Sequence, residues 1–81
     1  MFKTTLTIDG MMCSMCESHV NDAVRNALPV KKVTSSHKKG SSVILSETAP
    51  DEALLRGAIE ATGYRVLQCE TEPWQRRGLF G

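Results

Sequence analysis

An α+β sandwich with the order strand, helix, strand, strand, helix, strand is the fold this sequence predicts. Three observations predict it. The chain opens with apolar and polar residues in strict alternation. Two later stretches carry apolar residues at helical spacing, each behind a loop with capping residues. Strand-like segments flank both of those stretches. Two strand–helix–strand halves in succession give a ferredoxin-like βαββαβ sandwich, a four-stranded antiparallel sheet with both helices on one face. One such unit accounts for most of the 81 residues. The reading is a domain over residues 1–70 and a C-terminal tail over 71–81, with no further boundary and no low-complexity segment.

Each element has its own signal. Phe2, Thr4, Leu6 and Ile8 alternate with Lys3, Thr5, Thr7 and Asp9, the period of a half-buried strand that Gly10 breaks. Ser14 followed three residues later by Glu17 makes a capping-box pattern. Behind it Val20, Ala23, Val24, Ala27 and Leu28 share one face of a helix that Pro29 ends. Val30 to His37 is the second strand, a hairpin turn falls at Lys38-Lys39-Gly40-Ser41, and Ser42 to Glu47 is the third strand. Thr48 is read as the cap of the second helix, with Pro50 and Asp51 in its first turn and Leu54, Leu55, Ala58, Ile59 and Thr62 as its buried stripe. Gly63 closes that helix in the left-handed position. Tyr64 to Glu70 is the fourth strand, and periodicity stops at Thr71. The sheet face away from the helices is expected to be solvated, as Lys3, Thr5 and Thr7 suggest.

Composition narrows the function. Ten Lys and Arg against nine Asp and Glu leave a formal net charge of +1. That excludes a strongly basic nucleic-acid binder. Aromatic residues are 5% of the chain, too few for a base-stacking platform. No apolar run approaches the roughly 20 residues of a membrane span, and the alternating N-terminus is no signal-peptide core. So small a chain favours a binding module over an enzyme with an enclosed cleft. The cysteine count of three is odd, which excludes a closed disulfide framework and fits a reducing, cytoplasmic setting.

Cys13 and Cys16 form a C-x-x-C pair between the first strand and the first helix. Thiolates are soft ligands that select Cu(I) and related ions. The unpaired N–H groups and positive dipole end of a helix N-terminus stabilise a thiolate. Two protein ligands suit a near-linear, open site, whereas a closed structural zinc site takes four. The same spacing also occurs in thioredoxin-type redox pairs and in zinc half-sites completed by a second chain.

The run Gly10-Met11-Met12-Cys13-Ser14-Met15-Cys16 resembles the G-M-x-C-x-x-C loop of the heavy-metal-associated domain, in its bacterial copper-chaperone form. Gly10, Met11, Cys13 and Cys16 match the pattern, and the resemblance extends over about residues 2 to 70. It implies a cytoplasmic metallochaperone that holds one Cu(I) through Cys13 and Cys16. The ion would pass by thiolate exchange to a partner such as the metal-binding domain of a copper-transporting P-type ATPase. Ag(I), Hg(II) and Zn(II) are the alternative ions for such a site. The family carries an acidic residue before the first cysteine for zinc or cadmium, and Met12 stands there. The resemblance also implies that Met11 packs beneath the loop and that Tyr64 shields the site from the loop before the last strand. It implies a monomer or a metal-bridged dimer, with neither nucleic acid nor membrane insertion involved.

Other residues draw blander readings. Met12 and Met15 are expected on the surface, Cys69 as a small buried hydrophobe and His37 as a solvated histidine. His19, three residues after Cys16, is read as a surface histidine, with a third metal ligand in a C-x-x-C-x-x-H pattern as the alternative. Glu17 is read as a helix cap, with a role near the metal as the alternative. In the tail, Trp74, Leu79 and Phe80 either fold onto the open sheet face or dock a partner beside Arg76 and Arg77, and the polar look of that face favours docking. Rival functions for the cysteine pair are a small thiol–disulfide oxidoreductase, a metal-sensing or buffering domain, and an interaction domain with incidental cysteines.

Overall fold

The computed structural model describes residues 1–12 and 14–74. Six elements follow in the order expected: β1 (Phe2–Asp9), α1 (Ser14–Ala27), β2 (Lys32–Ser36), β3 (Ser41–Ser46), α2 (Glu52–Glu60) and β4 (Arg65–Pro73). The four strands form one sheet in the order β2-β3-β1-β4, every neighbouring pair antiparallel. This is the ferredoxin-like sandwich. α1 packs on β2 and on α2, and α2 packs on β4.

Alternation along the strands sets the core. Thr4, Leu6 and Ile8 of β1 turn inward, as do Val33 of β2, Ile44 of β3 and Val66 of β4. The helices answer with Val20 and Val24 of α1 and Leu55 and Ile59 of α2. The core also buries hydroxyls, each provided with a partner. Thr4 and Thr71 join their Oγ1 atoms at 3.0 Å across β1 and β4. Ser35 donates to Asn21 Oδ1 of α1 at 2.6 Å and meets Ser42 at 3.0 Å. Among the described residues no buried side-chain nitrogen or oxygen is left without a hydrogen bond, as the cost of orphaned polar groups demands.

Several element ends differ from the sequence reading. The cap of α2 is Asp51, not Thr48: its carboxylate accepts from the N–H groups of Ala53 and Leu54. A charged cap of this kind meets two orphan donors and the positive helix end together. The buried stripe of α2 is narrower than expected, for Leu54 is 57% exposed and Thr62 lies on the surface. β4 runs to Pro73, past the expected end at Glu70, because Thr71, Glu72 and Pro73 pair with Thr4, Lys3 and Phe2. The Trp74 N–H then donates to the Met1 carbonyl at 2.9 Å.

The open sheet face is less polar than expected. Val43 and Leu45 of β3 point to it, and Trp74 joins Lys3, Lys32, Thr34 and these two around a shallow cavity of about 240 Å³. For Trp74 this favours the folded-back arrangement over partner docking. Leu79, Phe80, Arg76 and Arg77 lie outside the described residues, as does the rest of the tail from residue 75.

Candidate metal-binding site

The antiparallel pairing brings three connections to one end of the sheet. β1 ends at Asp9, which pairs with Arg65 at the start of β4, and Thr7 pairs with Ser41 at the start of β3. The Ile8 N–H donates to the Gly40 carbonyl at 2.7 Å. The loop from Gly10 to α1, the β2–β3 turn and the Gly63–Tyr64 connection therefore share that end.

At Gly10 the backbone takes φ +100°, a conformation that L side chains rarely adopt. The turn drives Met11 down into the core, where it is 4% exposed, and leaves Met12 81% exposed. Ser14 opens α1, and Met15 on its first turn is 67% exposed. Cys16, on the same turn, is half-buried and packs on the edge of the core. Cys13 lies outside the described residues. Tyr64 is half-buried and also packs on the core. It covers the Gly10 turn closely: a Cβ added to Gly10 would lie 3.3 Å from Tyr64 Cδ1.

Glu17, next to Cys16, has a partner that the local capping pattern does not disclose. Its Oε2 accepts the backbone N–H of His37 at 2.8 Å and lies 2.6 Å from His37 Nδ1. His37 is thus partnered, not merely solvated, and it opens the β2–β3 turn rather than closing β2. The His37 backbone N–H, and after it the ring, hold the Glu17 carboxyl below the usual carboxylate range. His19 is exposed on α1. Among the described residues no cluster of three or more His, Cys, Asp and Glu forms.

Cys69 sits away from this end, opposite Leu6 in the middle of the β1–β4 ladder. Its half-buried thiol is pushed up from the ordinary cysteine value chiefly by burial. Glu52 pushes it the same way and Arg56 opposes. No described helix is long and apolar enough to cross a membrane.

Solved structures share this architecture over nearly their own full length. The CopZ metallochaperone superposes with a TM-score of 0.72 at 26% identity, over 80% of this chain and 98% of that one. Oxidized MerP from Ralstonia metallidurans CH34 gives 0.70 at 26% identity, over 84% of this chain and all of its own. The chain has the fold of the heavy-metal-associated domains. The Zn(II)-form N-terminal domain of ZntA shares the fold at 21% identity, with a TM-score of 0.73 over 93% of this chain and 97% of its own. In sequence, the chain is 34% identical over 80 residues to mercuric reductase of Serratia marcescens. It is 36% identical over 63 residues to that of Shigella flexneri. Those alignments cover 95% and 78% of this chain but span 17% and 11% of the relatives' length. No family model matches the chain.

Proposed function

We propose that this domain binds one soft metal ion through Cys13 and Cys16 and passes it to a partner protein by thiolate exchange. The observation that carries the reading is the C-x-x-C pair at the junction of a glycine turn and a helix N-terminus, within a heavy-metal-associated sandwich. Two thiolates satisfy a near-linear soft cation and leave it open to attack. A partner thiolate adds to the ion and one of this chain's sulfurs leaves and takes up a proton; a second partner thiolate then displaces the other sulfur in the same way. Met11 supports the loop from below and Tyr64 limits access beside it. The work is binding and transfer rather than catalysis on a substrate.

Cu(I) is the cargo we favour, with the metal-binding domain of a copper-transporting P-type ATPase as the receiving partner and the cytoplasm as the compartment. Met12 before Cys13 and the likeness to CopZ support it. Hg(II) is the second reading, and one finding favours it specifically: the two sequence relatives named above are mercuric reductases. Both ions suit the same two sulfurs.

Competitive titration against calibrated chelators, with Cu(I), Hg(II) and Zn(II) in parallel, tests the proposal. One Cu(I) per chain should bind far more tightly than Zn(II), and Cys13→Ser or Cys16→Ser should each abolish tight binding while the domain stays folded. Cys69→Ser should leave the curve unchanged. Wild-type affinity in both site variants would overturn the reading. Catalytic reduction of disulfides by the metal-free chain would replace it with the oxidoreductase.

A further inference from the structure

Glu17 and His37 are twenty residues apart, and in the fold they join two of the three connections at the loop end of the sheet. One carboxylate oxygen holds both the backbone N–H and the ring nitrogen of His37, at 2.8 and 2.6 Å. Both side chains are about a quarter to a third exposed, so the pair is neither a fully solvated contact nor a buried one. Such charge-assisted bonds are short and directional. Glu17 Oε2 accepts, so the ring presents Nδ1–H to it and the tautomer is fixed. The residue before Glu17 is Cys16, whose side chain packs on the core edge from the same helical turn.

We propose that the Glu17–His37 pair is a latch that positions Cys16. It ties the first turn of α1 to the β2–β3 turn, which is itself anchored to β1 by the Ile8–Gly40 hydrogen bond. The thiol of Cys16 is thereby held against the core at a fixed height over the sheet. Without the latch, the first turn of α1 has lost a tether at the point where a helix frays most readily, and Cys16 spends more time exposed. Glu17 and His37 are positioning residues in this scheme and touch no cargo. The assignment of a purpose to the position, though not the latch itself, rests on the proposed metal transfer.

The two bonds are unequal in origin, and that gives the test its order. His37→Ala removes the ring bond and leaves the backbone one. Glu17→Ala removes both. His37→Asn places an amide N–H close to where Nδ1 stood and restores the pair. The measurement is the alkylation rate of Cys16 in metal-free full-length protein by iodoacetamide at fixed pH, resolved by peptide mass, with Cys69 as the internal reference. Cys16 should react several-fold faster in His37→Ala, faster again in Glu17→Ala, and at the wild-type rate in His37→Asn, with Cys69 unchanged throughout. In metal-loaded protein, chelators should extract the ion in the same rank order with stoichiometry unaltered. A general loss of stability would accelerate both cysteines together and would sink the latch, as would equal Cys16 rates in all four proteins. If the wild-type chain binds no soft metal, the transfer reading fails by itself, and the alkylation series still decides the latch.

Discussion

Replacing Gly10 by alanine probes the turn that delivers the candidate loop. The residue sits at φ +100°, where an L side chain is strained by about 1–2 kcal/mol. Its new methyl would also meet Tyr64 Cδ1 at 3.3 Å, so the ring must retreat by a few tenths of an ångström. Gly63 is the natural control: its φ is +101°, yet a Cβ there meets nothing within 4 Å. Gly63→Ala therefore reads the backbone term alone, and Gly10→Ala reads that term plus the displacement of Tyr64. In a domain of this size each kcal/mol lowers Tm by about 4–8 °C. Both variants should melt several degrees below wild type, Gly10→Ala the lower. Adding Tyr64→Ala should relieve the surplus, so thermal melts of the cycle Gly10→Ala, Tyr64→Ala and the double variant should give a coupling of about 0.5 kcal/mol or more. Additive costs would show that Tyr64 does not cover the Gly10 turn. A Gly10→Ala protein as stable as wild type would refute the strained turn itself.

Other expectations follow from single features. Tyr64→Ala should keep one Cu(I) per chain but let a chelator remove it faster; unchanged kinetics would make the ring a packing residue. Cys69, whose thiol is pushed up by burial, should alkylate slowly near neutral pH and gain rate only above the ordinary thiol range, because the reactive thiolate appears later. Rapid modification at neutral pH would contradict its place between the helices and the sheet. Gly57, exposed within α2 with nothing near its missing Cβ, should accept alanine with a gain of about 0.5–1 kcal/mol in thermal or denaturant unfolding. A chain ending at Glu70 should melt several degrees below one ending at Trp74, since it loses the pairing of Phe2–Thr4 with Thr71–Pro73 and the Trp74–Met1 bond; equal melting points would leave that strand extension without energetic weight.

What the sequence made legible is what local physics determines. Period two over Phe2–Asp9 marks β1 because one face must be buried and the other need not be, and the glycine at position 10 marks its end because the turn there requires φ above zero. Met11 falls into the core as the family resemblance implies; local physics does not separate it from Met12, equally apolar and 81% exposed. The misread features are those whose partner is supplied from far along the chain. Thr71, Glu72 and Pro73 carry no strand signal of their own, and become strand because β1 offers them an edge to pair with. Trp74 gains its place from Val43 and Leu45, whose outward direction depends on the β3 register rather than on their hydropathy. Glu17 shows the same limit at the site. Three residues after Ser14 it fits a capping box, and nothing within one helical turn announces His37. That pairing exists because the β2–β3 hairpin folds back to the loop end of the sheet, so it can be read only once the register is known. Sequence motifs thus indicate which atoms could hold a cargo, while the groups that hold those atoms still are assembled by topology.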